Sequence, residues 1–421
     1  MPAQRESREH ESRARLRPCV ETRGHVLIAT RIHMPEAAAA SFRIQAVERA
    51  LVARHVPVEA LTSAPAKDEK VKEERGVRVS RWPVLRDKSG YLRGYLPYLS
   101  FDIPLFFRLL FHRRPRVVLV EPPPTTGLVA RAALSFRSIP YIWYAPDIWS
   151  DAAEATGAPR IVKKVVRWME SFTLSGARSV IAINEEIAER IRALGAKDVR
   201  LVPNGIDTAT FTQKGPTPTA DERARAGVGG TYFLYAGTAS EWQGAEVFLE
   251  ALRSVRRTHP QAQIVFLGQG SAWPMLKEMA SRIHKGPDGR TPVVFIPTLP
   301  PAQAASWHRG ALASLVSIKT GIGYDFAYPT KVLAALSCGC PVLYAGAGPA
   351  RDDITANDCG SALAYDPKEI AQAMLLALED TRSSRWNEEE KNRLHRWVEE
   401  KRSIRVTGEK AAMILLESFA D

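Results

Sequence analysis

The residues best placed to do chemistry lie between Tyr324 and Val342, YDFAYPTKVLAALSCGCPV, a loop that enters a short apolar helix and leaves through Gly-Cys-Pro into an apolar run. Pro329 suits a first helical turn, where its missing N–H costs nothing, and Gly339 suits the stop. The unpaired N–H groups of Thr330, Lys331 and Val332, at the positive end of the helix dipole, are then available to an anion, with the Lys331 ammonium beside them. Such a helix end holds phosphates, although the same pattern also describes a plain helix packed on a sheet.

The elements that position this helix follow from alternation along the chain. Strands are predicted at residues 25–30, 58–62, 117–121, 141–145 and 179–183, from short apolar β-branched runs. Helices are predicted at 41–55, 125–135, 161–174 and 185–194, from apolar positions spaced by three and four. After Val202-Pro-Asn-Gly-Ile-Asp207 the order lapses into a Thr-, Pro-, Gly- and charge-rich stretch over 212–230, read as a linker. Alternation then restarts, with strands at 232–237, 263–268, 293–297, 313–318 and 341–345 and helices at 244–258, 273–284, 301–309 and 330–338. The fold class is α/β: two Rossmann-like halves, with parallel sheets covered by helices, facing each other across a cleft. The expected division is a basic tail over 1–22, a first domain over 23–208, a linker over 209–230, a second domain over 231–383 and return helices over 384–421.

A chain of 421 residues exceeds one ordinary core, which agrees with two domains. The net charge of +12 favours an anionic partner, but no basic-aromatic nucleic-acid module is present, so nucleic acid is not an expected partner. Cys19, Cys338, Cys340 and Cys359 lack zinc-site spacing and suit a reducing cytoplasm. The charged start MPAQRESREHESRARLRP has no apolar segment and reads as a disordered tail. No run reaches the roughly 18 apolar residues of a spanning helix.

In order and spacing, five segments resemble the family 4 glycosyltransferases of GT-B architecture, in their cell-surface polysaccharide branch. These are Asp147-Ile-Trp-Ser-Asp151; Val202 to Asp207 followed by Phe211; Tyr235 to Thr238 with Gln243-Gly244; Leu315 to Lys319; and Pro329-Thr-Lys331 leading to Gly339-Cys-Pro-Val342. The resemblance implies a retaining enzyme that moves a sugar from a UDP- or GDP-linked donor to a glycan or polyprenyl-linked acceptor, working at the inner membrane face. It also implies a C-terminal helix that crosses back to the first domain. Gly237, Thr238, Gln243 and Gly244 then lie along the donor diphosphate, Gly268 and Gly270 near the nucleoside, and Lys319 beside base and sugar. Pro329, Thr330, Lys331 and Val332 face the phosphates, and Asn204 and Asp207 lie at the acceptor or between domains. The glycines also suit ordinary turns, and Lys319 a solvent-facing position. Departure of the diphosphate builds negative charge, so fixed donors and Lys331 are the expected catalytic stabilisers. Asp147 follows a strand and either orients the acceptor, acts as base, or caps a short helix. No Asp-x-Asp metal motif occurs in a suitable loop, and no metal or separate cofactor is expected.

Several features depart from the family pattern. The Glu-x7-Glu pair is replaced by Phe326 and Ala334, the basic diphosphate grip by Thr238 and Gln243, and the glycine pair after the first strand by residues 35–41. These losses also fit a non-catalytic protein that binds a partner enzyme or glycan. A sugar-nucleotide epimerase lacks support, since no convincing cleft acid/base set is present. Residues 91–114 combine aromatics and leucines with Arg93, Arg108, Arg113 and Arg114, which suits either a helix in the head-group layer or a core helix pair. Pro97 and Pro104 are expected to interrupt any long helix there.

Overall fold

The computed structural model describes residues 24–419 apart from 37, 67–74, 88–89, 91, 93, 156–157, 287–288 and 381–384, so Arg93 and the tail expected over 1–22 lie outside the described residues. The first half runs β1 (Val26–Ala29), α1 (Ala39–Val52), β2 (Val58–Ser63), β3 (Val77–Trp82), α2 (Tyr95–Phe111), β4 (Val117–Val120), α3 (Pro124–Phe136), β5 (Tyr141–Ala145), α4 (Trp149–Ala155), α5 (Arg160–Gly176), β6 (Ser179–Ala182), α6 (Glu185–Ala193) and β7 (Val199–Leu201). Its strands form one parallel sheet of order β3-β2-β1-β4-β5-β6-β7, with Val26 opposite both Val58 and Val117. β1, β4 and β5 are buried along their whole length, which is why they read as continuous apolar runs. Helices α2, α3 and α5 cover one face of the sheet.

The second half contains α7 (Ala220–Ala226), β8 (Tyr232–Thr238), α8 (Glu246–Val255), β9 (Gln263–Gln269), α9 (Trp273–Ser281), β10 (Val293–Pro297), α10 (Pro301–Gly310), β11 (Ala313–Ser317), α11 (Thr330–Ser337), β12 (Val342–Ala345), α12 (Pro349–Ala356), β13 (Gly360–Leu363) and α13 (Pro367–Asp380). Its sheet is also parallel, ordered β10-β9-β8-β11-β12-β13. The residues before β8 do not run free. Thr219 and Glu222 cap α7 reciprocally, and Arg309 on α10 donates to the carbonyls of Thr212 and Pro216.

The chain closes with α14 (Glu388–Lys401) and α15 (Ile404–Glu417). α14 packs on α11, and α15 packs on α1 in the first half. The C-terminal helix therefore crosses back, as in the GT-B arrangement. At the crossing, Ile206 N donates to Arg402 O at 2.9 Å and Ile404 N donates to Ile206 O at 2.8 Å. Ser403 Oγ accepts from Val406 N and starts α15, while Thr407 Oγ1 donates to Pro203 O at 2.9 Å.

The expected break in residues 91–114 does not occur, because α2 runs unbroken through Pro104. Pro97 lies in the first turn, where a missing N–H leaves nothing unsatisfied. Pro104 costs about 3 kcal/mol in a helix interior. Full burial of Phe101, Leu105 and Leu109 offsets this, at about 1.5–3 kcal/mol per large apolar side chain.

The closeness of α1 and α15 depends on Gly408, where a Cβ would stand 2.3 Å from Ala46 O. Gly408→Ala is expected to destabilise the protein by about 1–3 kcal/mol in urea denaturation, the usual cost of overpacking. A loss under about 0.5 kcal/mol, the size of ordinary surface effects, would mean that α15 is free to shift.

Candidate active site

Both sheets reverse their strand order once, between β1 and β4 and between β8 and β11. In open α/β sheets ligands collect at the carboxyl ends of strands beside such a reversal. The residues in question stand at these two places.

In the second domain, Pro329 is the N-cap of α11, and Thr330, Lys331 and Val332 form its first turn. The first-turn amides have no carbonyl one turn earlier to bond, although Val332 N already donates to Pro329 O at 3.0 Å. The Val332 side chain is buried in the apolar cluster beneath the helix. Thr330 and Lys331 therefore carry the open donors. Lys331 Nζ reaches back to the end of β8, donating to Tyr235 Oη at 2.8 Å and to Thr238 O at 2.9 Å. It also lies 4.0 Å from the Tyr235 ring centroid. Desolvation in this crowded position pushes the Lys331 ammonium down to about 7, although the residue is still partly exposed. Burial pushes the Tyr235 hydroxyl far above its ordinary range, so it stays protonated.

Gly237, exposed at the end of β8 with φ of +109°, presents only open space and Lys331 Cε to an added Cβ. Thr238 beside it is exposed. Gly268 and Gly270 have a different reason to be glycine. A Cβ on Gly268 would fall 2.3 Å from Gly237 O, and one on Gly270 would fall 2.0 Å from Ala239 O. Both pack β9 and its exit against the β8 loop, which holds that loop in place.

Gln243 does not face the opening. It is buried, and its Oε1 accepts from Tyr235 Oη and Ser240 N, so it braces the tyrosine that holds Lys331. Gly244 closes the turn in the left-handed region, and its carbonyl accepts from Tyr365 Oη at 2.7 Å. Lys319 donates its amide to Trp242 O and its Nζ to Glu246 Oε1 at 3.2 Å. Glu246 escaped the sequence reading. Its Oε2 is buried without a hydrogen-bond partner among the described residues.

In the first domain, Asp147 follows β5 and is exposed. It does not cap α4. The first amides of that helix, Trp149 N and Ser150 N, donate to the Glu170 carboxylate at 2.8 and 3.0 Å. The surrounding protein still excludes enough water to raise the Asp147 carboxyl, with Arg43 pulling the other way. Arg43 itself pairs with Glu121 at the end of β4, Nη2 to Oε1 at 2.8 Å, and Thr30 Oγ1 at the end of β1 donates to Glu121 Oε2 at 2.9 Å. Arg31, one residue further on, is buried over the Tyr98 ring, and its Nε and Nη1 have no hydrogen-bond partner among the described residues. Sequence reasoning passed over Thr30, Arg31, Arg43 and Glu121. Their only local signal was polarity, at the ends of β1 and β4 for three of them and within α1 for Arg43. In place of a glycine pair, the loop after β1 is tied by His33 Nε2 to Glu48 Oε1 at 2.8 Å and by Ser63 Oγ donating to Arg31 O at 2.7 Å.

The two sides meet at the loop before α11. Asn184 Nδ2, at the end of β6, donates to Phe326 O at 2.8 Å, and the Arg190 guanidinium lies 4.6 Å from the Phe326 ring centroid. The Phe326 ring packs on the apolar cluster of the first domain. Ala334 is buried in α11. Thus neither position expected to carry a carboxylate offers a polar group to the cleft. Asn204 and Asp207 lie at the crossing between domains, where Asp207 accepts from Ala209 N and Thr210 Oγ1 and shapes the turn.

The chain matches the description "Glycosyl transferase 4-like domain" over residues 39–205 and "Glycosyl transferases group 1" over residues 230–380. It belongs to the GT-B glycosyltransferases of the family 4 type. No curated protein sequence matches it significantly. Among solved structures it is similar to a sucrose-phosphate synthase from Thermosynechococcus elongatus, with 15% identity, TM-score 0.67 and coverage of 94% of this chain and 100% of that one. Anabaena Alr3699/HepE in complex with UDP gives 13%, 0.68, and coverage of 93% and 100%. WaaG, a glycosyltransferase involved in lipopolysaccharide biosynthesis, gives 14%, 0.65, and coverage of 92% and 99%. At such identities the likeness establishes the fold.

The β8–β9 loop packing makes a test that needs no ligand. Gly270→Ala is expected to cost about 1–3 kcal/mol in chemical denaturation, because the clash is with backbone that cannot swing aside. Retained stability would release Gly270 from this structural role.

Proposed function

We propose that this transferase takes its sugar from a nucleoside-diphosphate donor, UDP- or GDP-linked, with retention at the anomeric carbon. The single observation that carries this reading is the junction of the α11 N-terminus, Lys331 and the Gly237-Thr238 strand end at the sheet reversal. Open amides, a helix dipole and an ammonium stand together there, the groups that receive an anion. HepE, a structural neighbour, has been crystallised with UDP, with UDP and glucose, and with UDP-glucose, which supports UDP as the first nucleotide to try.

In this reading the bond from C1 to the diphosphate breaks and the leaving oxygens gather charge. The amides of Thr330 and Lys331 meet that charge together with the Lys331 ammonium. The acceptor oxygen bonds C1 and gives up its proton, and Asp147, exposed and raised in pKa, is the candidate base or orienting group. With Phe326 and Ala334 in place of carboxylates, ribose recognition is weak and the phosphate end carries most of the grip.

Lys331 makes the donor site pH-dependent. Free Lys331 titrates near 7, and a bound diphosphate favours its charged form, so binding at pH 8 draws in a proton. The expected outcome for UDP is affinity that falls as pH rises through about 7, and uptake approaching one proton at pH 8 by calorimetry in buffers of different ionisation enthalpy. Lys331→Met should abolish both effects and lower turnover, whereas unchanged binding in that variant removes Lys331 from the site.

The acceptor we propose is a glycan carried on a lipid, reached at the inner face of the cell membrane during envelope or exopolysaccharide assembly. No helix among the described residues is long and apolar enough to span a membrane. The adjacent helices α2, α3 and α5 nevertheless expose Phe107, Phe111, Phe136, Ile161 and Trp168, each more than half open. Arg113, Arg114, Lys164 and Arg167 stand exposed among them, the composition of a surface that lies in anionic head groups. Phe107→Asp with Trp168→Asp is expected to abolish co-flotation with anionic phospholipid vesicles while leaving the circular dichroism unchanged. Retained flotation would refute docking through this face.

A second reading has one observation in its favour. The Phe326 ring, standing where relatives carry a carboxylate, is spent on holding the domains together, as in a protein that binds partners without catalysis. A folded protein that binds neither UDP nor GDP would favour it.

A further inference from the structure

Away from the cleft, at the opposite end of the first sheet, three potential ligands converge from separate elements. His25 precedes β1, Glu59 lies on β2 opposite Leu27, and His112 is the C-cap of α2. One ligand atom from each lies within 4.8 Å of the others. We propose that His25, Glu59 and His112 form a binding site for a zinc-class divalent cation that fastens the end of α2 to the sheet.

The hydrogen bonding around the cluster leaves ligand atoms uncommitted. His25 is 6% exposed, yet its Nε2 has no hydrogen-bond partner among the described residues. His112 Nε2 approaches Glu59 Oε2 at 3.0 Å without the alignment of a hydrogen bond. The imidazole planes are tilted by 57° with centroids 5.8 Å apart, so the rings do not stack on each other. Buried polar atoms are normally satisfied, and an unpartnered buried nitrogen beside a second nitrogen and a carboxylate oxygen calls for an explanation.

The donor set defines the ion. Two imidazoles and one carboxylate suit zinc and similar borderline ions rather than calcium or magnesium, which prefer oxygen shells. Tetrahedral ligands at about 2.1 Å from zinc stand about 3.4 Å apart. The observed spacing, 3.0 Å for one pair and within 4.8 Å for all, brackets that distance. A water completes the fourth position. Arg78 holds Glu59 Oε1 at 3.1 Å but is 80% exposed, so it competes weakly for the carboxylate and leaves Oε2 to the ion. Arg108, Arg113 and Arg137 also lie near and temper the affinity.

The consequence is mechanical. α2 carries the exposed Ile103, Phe107 and Phe111, and an ion at His112 fixes its C-terminal end to β1 and β2.

The test uses the full chain, stripped with EDTA and desalted, then titrated with ZnCl2 against a chromophoric chelator and separately with CoCl2. Expected are one zinc per chain with a dissociation constant of about 1 μM or tighter, the visible ligand-field bands of tetrahedral Co2+, and a raised melting temperature. Glu59→Gln and His112→Asn, both close in shape to the native residues, should each weaken binding at least tenfold while keeping the native circular dichroism. Two results would overturn the proposal: no stoichiometric binding by the folded wild-type chain, or equal binding in both variants, which would place the zinc on other histidines or cysteines.

Discussion

The candidate site exists only because two separately folded sheets are held with their strand ends toward one another, and that arrangement rests on the paired crossing of the chain. Ile206 on the way out and Arg402 to Ile404 on the way back exchange backbone hydrogen bonds like two residues of a parallel ladder. Gly205 permits this closeness, since a Cβ there would stand 2.7 Å from Ile404 N. Beyond the crossing, α14 stays with the second domain and α15 packs against α1. A few residues therefore set the relation of Asp147 to Lys331. Phe326 adds a second tie at the mouth, an apolar contact supported by one hydrogen bond.

Within the cleft the same low-polarity packing produces opposite effects on two groups. Desolvation makes the Lys331 ammonium easier to discharge and the Asp147 carboxyl harder to ionise. Both effects disfavour the charged form of the group. At positions 326 and 334, Phe326 and Ala334 offer no polar group to the cleft. Phe326 instead joins the two domains, through its ring and its carbonyl.

Local pattern was enough for the fold class, because a strand buried on both faces must be apolar throughout and a covering helix must repeat near 3.6 residues. β1, β2, β4 to β6, β8, β9, β11 and β12 were legible for that reason, and the edge strand β10 by its apolar run Val293-Val-Phe-Ile296. β3, β7 and β13 were not. They are short or lie at sheet edges, where half-exposed residues such as Arg78, Arg200 and Ser361 blur the pattern. α7, α12 and α13 were overlooked because glycines, prolines and charges around them resemble loop sequence. In α2 the proline rule failed, since buried Phe101, Leu105 and Leu109 outweigh one broken hydrogen bond.

At the site, the sequence by itself determined which groups were available: a lysine at a helix start, glycines at strand ends and an aspartate after β5. Tertiary structure alone decided what each does. Glu170, on a different helix from the one it caps, holds the start of α4 and leaves Asp147 free for the cleft. Gln243 turns inward to brace Tyr235, and the backbone of the β8 loop requires Gly268 and Gly270. His25, Glu59 and His112 come together only through sheet pairing and the end of α2. Periodicity is a property of neighbouring residues along the chain, whereas a hydrogen-bond partner or an excluded water is a property of whatever distant segment packs alongside.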